Sequence, residues 1–225
     1  MKRSKLNVIT AMVLLLAMGV LLLSGCNFAS TVLRGRGDLV SHNIQSDNFT
    51  GLNISGAYEL TFHQSIEYSV ILEIQDNLFP LVMTDVRDGV LYIKSTKNFY
   101  TTTGNTPRLY ITAPNIKSVD FSGAVIANLD LCVDSMSINI SGAGDVTLDG
   151  SAKTLNINND GAANVKTTNM ISKDVSVSVA GTGVVETYAT DTLNVRISGV
   201  GLVRYDGDPQ LTHSISLLGS IEKRS

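Results

Sequence analysis

The residues of this chain that could do chemistry are few and scattered along the sequence. His42, His63 and His213 lack the close spacing that metal ligands usually have. Glycoside hydrolysis needs two carboxylates roughly 5 to 10 Å apart. The column of residues that precede successive glycines by three positions, which starts at Asp120, supplies only one acid. We therefore predict no catalytic residue, no metal ion and no cofactor, and a polysaccharide-active enzyme is the least favoured function.

The segment Gly142-Ala143-Gly144-Asp145 is similar to parts of two ligand-binding loops. A phosphate-binding loop would need a lysine shortly after the glycines, and none follows at that spacing. A calcium-binding β-roll would need a nine-residue period with repeated aspartates. The residues equivalent to Asp145 are Asn164, Val184 and Leu202, which cannot supply a row of carboxylates. We predict a structural role for these glycines.

The N-terminus has the pattern of a targeting segment. Basic residues near Lys2 precede an uncharged apolar stretch over residues 8–23, which ends in Leu23-Ser24-Gly25-Cys26. This tetrapeptide resembles a bacterial lipobox, whose cysteine carries a diacylglyceryl group. A retained membrane helix is the alternative, but the apolar stretch is slightly short of the ~20 residues that a span needs. We predict a signal peptide over residues 1–25, a membrane anchor at Cys26 and an extracytoplasmic mature chain, at the outer membrane if the cell is Gram-negative.

Residues 26–45 show no clear periodicity and are predicted to be a flexible tether. If Cys26 carries lipid, Cys132 is the single remaining cysteine, so no disulfide can form within the chain. Cys132 lies among apolar residues, and we expect it to be a small buried side chain rather than a reactive thiol.

The element that must position any functional residue is an internal repeat marked by glycine. Each glycine ends a short alternating apolar run, and the last six are 19, 19, 20, 18 and 20 residues apart. The seven glycines are Gly56, Gly123, Gly142, Gly161, Gly181, Gly199 and Gly219. A period near 19 suits one turn of a solenoid whose coils share a continuous core. We predict that the glycines form the corners, where a Cβ atom would clash with the neighbouring coil.

The residues four and two positions before each glycine form an apolar column that should face the core. They are Val119 and Phe121, Ile138 and Ile140, Ile157 and Asn159, Val177 and Val179, Val195 and Ile197, and Ile215 and Leu217. Asn159 is the exception, and it is either a buried amide that pairs with the backbone or the sign of a register shift. Five positions before each glycine the residues are Ser118, Ser137, Asn156, Ser176, Asn194 and Ser214, a polar column that could form hydrogen bonds from coil to coil.

Several motifs together resemble the head GIN domain of the auto-transporter adhesin family. They are Ser141-Gly142-Ala143-Gly144, Ala180-Gly181-Thr182-Gly183, Ser198-Gly199-Val200-Gly201 and residues 205–209. The resemblance implies an all-β, right-handed parallel β-helix over residues 46–222, with the N-terminal β-rich segment continuous with it. It also implies a secreted or lipid-anchored protein of the bacterial envelope, and it brings no set of catalytic residues. Asp160-Gly161-Ala162-Ala163 departs from the pattern where a second glycine is usual.

The predicted function is a non-enzymatic module for adhesion or envelope interaction, which follows from the resemblance. A signalling accessory lipoprotein for envelope stress is the alternative. Expected partners are the membrane through Cys26 and a surface glycan or an envelope protein, and open solenoid ends could also pair into a homo-oligomer. The net charge of −3 gives no basic footprint, so nucleic acid is not an expected partner.

Overall fold

The computed structural model describes residues 32–216 and 218–224, and most of them lie in β-strands. The strands are β1 (Leu33–Arg34), β2 (Leu39–Asn43), β3 (Gly51–Ser55), β4 (Ala57–Gln64), β5 (Ser69–Gln75), β6 (Val82–Arg87), β7 (Val90–Ser95), β8 (Phe99–Tyr100), β9 (Arg108–Ala113), β10 (Ser118–Phe121), β11 (Ala124–Ile140), β12 (Ala143–Asn159), β13 (Ala162–Val179), β14 (Thr182–Ile197), β15 (Val200–Asp206), β16 (Gln210–Ile215) and β17 (Ser220–Lys223). A single 3₁₀ turn, Phe79–Leu81, interrupts them in the described ranges. No helix within these ranges has the length and apolar character to cross a membrane. The predicted signal peptide and Cys26 lie outside the described residues.

The strands stack as a parallel β-solenoid of about six turns, which confirms the predicted fold class. Each of β11 to β14 spans one coil from corner to corner and pairs in parallel with the next. The N-terminal strands continue the same stack, because β4 and β10 both pair with β11, and β3 pairs with β10. The β-rich segment before the repeats is therefore part of the solenoid.

The core consists of apolar columns that run through successive coils. The column four positions before the glycines contains Val119, Ile138, Ile157, Val177 and Val195, and all five are buried. Stacking places branched aliphatic side chains in direct contact between coils, so each coil completes the core of its neighbour. One column becomes polar towards the C-terminus, where Thr167 and Thr187 are buried and joined by a hydrogen bond of 3.0 Å.

Six of the seven predicted corner glycines form a continuous ladder, Gly56, Gly123, Gly142, Gly161, Gly181 and Gly199. A Cβ atom on Gly142 would overlap the carbonyl oxygen of Gly123, and the same overlap recurs at each step from Gly123 to Gly199. Only Gly56 in this ladder has a positive φ, of 134°. Glycine is therefore required mainly by the close approach of the coils, not by unusual dihedral angles.

Gly219 does not lie on this ladder, which differs from the predicted register of the last coil. Ile215 pairs with Ile197, and Ser220 pairs with Leu202, so Gly219 lies opposite Gly201. The coil that enters β16 is two residues shorter than the glycine spacing implies. As a result Thr212, not Ser214, continues the polar column of Asn194.

The N-terminal end of the stack is closed by antiparallel strands. β6 pairs with β7 on one side, and β5 pairs with β9 on the other. β2 adds to β5 in antiparallel orientation, and β1 pairs with β8. Within the predicted tether of residues 26–45, the described part therefore includes two paired strands, β1 and β2, and is not a free linker between residues 33 and 43.

Candidate functional site

The most regular surface of the solenoid is a polar face built from the outward side chains that precede each glycine corner. We call this surface the polar face, and it consists of Ser118, Asp120, Ser135, Ser137, Asn139, Thr154, Asn156, Asn158, Asp174, Ser176, Ser178, Thr192, Asn194, Arg196, Gln210, Thr212 and Ser214. All of them are polar and only three carry a charge. Because alternate residues of a strand point to the same side, each strand contributes one row to this face.

The polar face has the geometry of a lattice. Rungs lie about 4.8 Å apart along the stack, and outward neighbours on one strand are about 7 Å apart. Hydrogen bonds link one edge column from coil to coil, since Asn139 Nδ2 donates to Asp120 Oδ1 at 2.6 Å and Asn158 Nδ2 donates to Asn139 Oδ1 at 2.8 Å. Hydrogen bonds between coils were predicted for the column that starts at Ser118. They are found in the column that starts at Asp120, two residues further along each strand. In the central column from Ser118 to Thr212 the first three residues are half-buried, and the last three, Ser176, Asn194 and Thr212, are exposed.

The buried amide of Asn159 bridges a gap in the ladder next to this face. The pairs between β13 and β14 pass from Ala162 with Thr182 to Val165 with Val185, without the residues between. Asn159, which is fully buried, donates to the carbonyl oxygens of Ala163 at 3.0 Å and Thr182 at 3.1 Å. Its Oδ1 accepts a hydrogen bond from the Gly161 N–H at 3.1 Å. Asn159 is therefore a buried amide paired with the backbone, and its own pairs with Ile140 and Val179 continue the register of the residues before them.

A second surface feature is a groove of about 670 Å³. It lies at the second corner of each coil, near the middle of β11 and β12 and away from the glycine corners. We call it the corner groove. Val133 and Ala152 form its floor, and it extends from Gln64 at one end to Thr190 at the other. Its lining residues also include Cys132, Ser151 and Ile171 from one outward column, and Asp134, Lys153 and Lys173 from another.

The corner groove contains a close ion pair. Lys153 Nζ lies 2.6 Å from Asp134 Oδ1. The hydrogen bond and the opposite charge lower the pKa of Asp134 and raise the pKa of Lys153. Both side chains are exposed, so the pair is screened by solvent and orders the side chains more than it stabilises the fold.

The family model described as "Putative auto-transporter adhesin, head GIN domain" matches residues 48–209. The chain belongs to this family. The matched range includes β3 to β15, all six glycines of the corner ladder and most of the polar face. No curated protein matches the sequence.

Several crystal structures have the same fold. A "putative adhesin" from Bacteroides fragilis is 19% identical to this head GIN domain chain, with a TM-score of 0.67 over 85% of this chain and 100% of that one. A "putative adhesin" from Parabacteroides distasonis is 20% identical, with a TM-score of 0.54 over 85% and 99% of the two chains. A "putative lipid binding protein" from the same species is 19% identical, with a TM-score of 0.50 over 86% and 99%. At these identities the likeness shows the fold alone.

Among the carboxylates, Asp120 is the acid that the sequence analysis weighed for a catalytic pair. Asp120 accepts its hydrogen bond from Asn139 and so belongs to the edge column of the polar face. The sequence predicted a turn at Asp149-Gly150, but both residues lie in β12, and Asp149 is the neighbour in register of Asp130 on the adjacent coil. The shared position of the two aspartates, seven residues after a corner glycine, could have revealed this register. Asp130 lies 3.3 Å from His63, and both side chains are more than half exposed.

The three histidines lie on separate parts of the domain. His42 on β2 stacks on Phe79 with ring centroids 3.7 Å apart, His63 is on β4 and His213 is on β16. In the part of the chain that the structure describes, no group of three or more His, Cys, Asp or Glu side chains could hold a metal ion.

The structure places Cys132 differently from the sequence prediction. Its thiol is exposed beside the corner groove, whereas Leu131 next to it is buried. The phase of the strand decides this, because inward residues alternate through Leu129 and Leu131 and leave Cys132 outside.

Sequence reasoning also missed the two lysines of the corner groove. Lys153 lies eleven residues after its corner glycine and Lys173 lies twelve after its own. A register shift between Thr147 and Asp149 of β12, where β13 carries an extra residue, accounts for the difference. Counting residues from the corner glycine therefore could not show that the two lysines belong to one column.

Proposed function

We propose that this protein is a non-enzymatic adhesion module on the outside of the bacterial cell envelope, held at the membrane by lipid at Cys26, and that it binds surface glycans through its polar face. Membership in the adhesin family supports the adhesive role and an extracytoplasmic location. The anchor is supported by the lipobox-like tetrapeptide that ends at Cys26.

The observation that carries the proposal is the regular polar lattice. A glycan chain presents hydroxyl groups at a repeat close to the rung spacing, and side-chain hydroxyl and amide groups can both donate to and accept from them. The central column offers Ser137, Asn156 and Ser176 on consecutive rungs. Many weak hydrogen bonds along an extended ligand would give avidity without a deep pocket.

A glycan array on the full-length chain in detergent tests this proposal. Binding to one or more neutral glycans is expected for the wild type. Ser176→Arg places a long charged side chain in the centre of the polar face, where Ser176 is exposed, and should abolish that binding without lowering the melting temperature. Asn128→Arg is the matched control, because Asn128 is exposed in the first half of β11 and lies outside the polar face.

Either of two results would overturn the proposal. One is an array without signal for the wild type, and the other is equal loss of binding in Ser176→Arg and Asn128→Arg. The rival function is a role in envelope signalling. If it is correct, even the wild type should bind no glycan on the array.

A further inference from the structure

The corner groove is a built feature of the fold rather than a gap between side chains. At its N-terminal end the Gln64 side chain behaves like an added strand residue: its Oε1 accepts from the Cys132 N–H at 2.7 Å, and its Nε2 donates to Pro114 O at 2.8 Å and Cys132 O at 3.2 Å. These bonds link the end of β4 to Pro114 and to the backbone of β11 at this end of the groove.

The other end of the groove is shaped by an irregular strand. The pairing of β13 with β14 shifts register between Thr167 and Ser172 and again between Ser172 and Asp174. Bulges of this kind bend a strand and redirect its side chains. Ser172 turns inward and is fully buried, while Ile171 beside it is 55% exposed at the groove.

The charge of the groove is positive although the whole chain is acidic. Its charged lining residues are Asp134, Lys153 and Lys173, and Asp134 is already paired with Lys153. Lys173 has no carboxylate within ion-pair distance among the described residues. Asp191, the acid of the next coil, does not line the groove and accepts a hydrogen bond from Thr190 at 2.6 Å. One ammonium group is thus free at the groove, on a chain with a net charge of −3.

The groove suits a glycan better than a peptide. Peptides usually gain affinity by adding a strand to a free sheet edge. Here β11, β12 and β13 are inner strands of the stack, and at the groove their ladder skips only the positions of Asp134, Lys153 and Lys173, so the groove offers no free sheet edge. The lysines of consecutive coils are separated by about one rung, roughly 4.8 Å. An acidic group of an extended glycan could lie between them while its apolar ring face rests on Val133 and Ala152.

We propose that the corner groove binds an extended glycan that carries carboxylate groups, with Lys173 as its free cationic contact and Lys153, held by Asp134, as the second. This inference extends the proposed function to a second site with a different ligand class. The polar face takes neutral glycans in that proposal, so the two sites can be tested separately.

The test measures binding of the full-length chain in detergent to polygalacturonate, with dextran as a neutral polymer and poly-glutamate as an acidic peptide. Lys173→Gln should weaken polygalacturonate binding by about tenfold, which corresponds to loss of one charge-assisted contact. Lys166→Gln is the matched control, because Lys166 is also exposed on β13 but lies outside the corner groove. It causes the same change in net charge and should leave binding unchanged.

A second readout locates the ligand. Bound polygalacturonate should slow the alkylation of the exposed Cys132 by iodoacetamide, followed at that residue by peptide mass spectrometry.

Any one of three results would overturn the proposal. They are the absence of polygalacturonate binding, equal effects of Lys173→Gln and Lys166→Gln, and unprotected Cys132. Equally strong binding of poly-glutamate would overturn the assignment to a glycan. Ser176→Arg should keep polygalacturonate binding, so failure at the polar face and failure at the corner groove give different results.

Discussion

At the scale of the residue, Asn159 shows how a polar side chain can be an integral part of an apolar column. Its amide satisfies two carbonyl oxygens and one N–H group where the strand ladder is incomplete. A buried backbone group without a partner costs about 1–3 kcal/mol. We expect Asn159→Leu, which keeps the volume and removes the amide, to destabilise the fold by that amount in urea unfolding.

The neighbouring asparagine provides the control for this prediction. Asn158 points outward, is only half-buried and donates a single side-chain hydrogen bond to Asn139. Asn158→Leu should therefore cost less than about 1 kcal/mol, because water can replace the lost partner. Equal losses in the two variants, or a more stable Asn159→Leu protein, would show that the buried amide is not needed by the backbone.

At the scale of the element, the coils can stack closely only if their corners lack side chains. A Cβ atom on Gly142 would overlap backbone atoms of Gly123, and backbone cannot move aside as a flexible side chain can. We expect Gly142→Ala to lower stability by about 3 kcal/mol or more, measured by thermal and urea unfolding. Ala143→Val, one residue further on and exposed, should change stability by no more than about 0.5 kcal/mol. A Gly142→Ala protein that unfolds like the wild type would contradict the ladder.

The same elements show what the sequence could predict. The glycine period and the alternating apolar residues were sufficient to predict a solenoid, because both follow directly from stacking with a shared core. The outward orientation of Cys132 could also have been predicted, because Leu129 and Leu131 point inward and Cys132 follows Leu131 directly. The prediction of a buried Cys132 gave more weight to its apolar neighbours than to this alternation.

Other features depend on contacts that a period does not contain. The shorter last coil moves Gly219 off the ladder, and because of the extra residue in β13, Lys173 lies one residue further from its corner glycine than Lys153 lies from its own. The pairing of β2 with β5 joins segments that are distant in sequence and carry no repeat. Hydrogen bonds of Asn159 resolve an alternative that the sequence left open, because they involve backbone groups of two other coils.

At the scale of the whole described domain, stability should fall from the N-terminal end to the C-terminal end. In a stacked repeat each coil is stabilised by its direct neighbours, so a terminal coil has about half the contacts of an internal one. The N-terminal end compensates with antiparallel strands, and Leu72, Ile74, Leu91 and Ile93 are completely buried there. At the other end, Leu211 and Ile215 of β16 are only partly buried and His213 occupies the column of Val195.

This asymmetry predicts the order in which backbone amides exchange with solvent. Opening β16 or β17 breaks pairing with one neighbouring strand, β14 or β15, and exposes little apolar surface. Opening β12 breaks pairing on both sides and exposes fully buried side chains such as Leu155 and Ile157. Hydrogen–deuterium exchange by mass spectrometry should therefore show fast exchange in β16 and β17 and slow exchange in β12.

β7 and β9 provide the internal control, since they lie near the opposite end of the stack but are covered by β6 and β5. If β7 and β9 exchanged as fast as β16, antiparallel closure would not be what stabilises the N-terminal end, and uniform protection along the chain would mean that the solenoid opens as one cooperative unit.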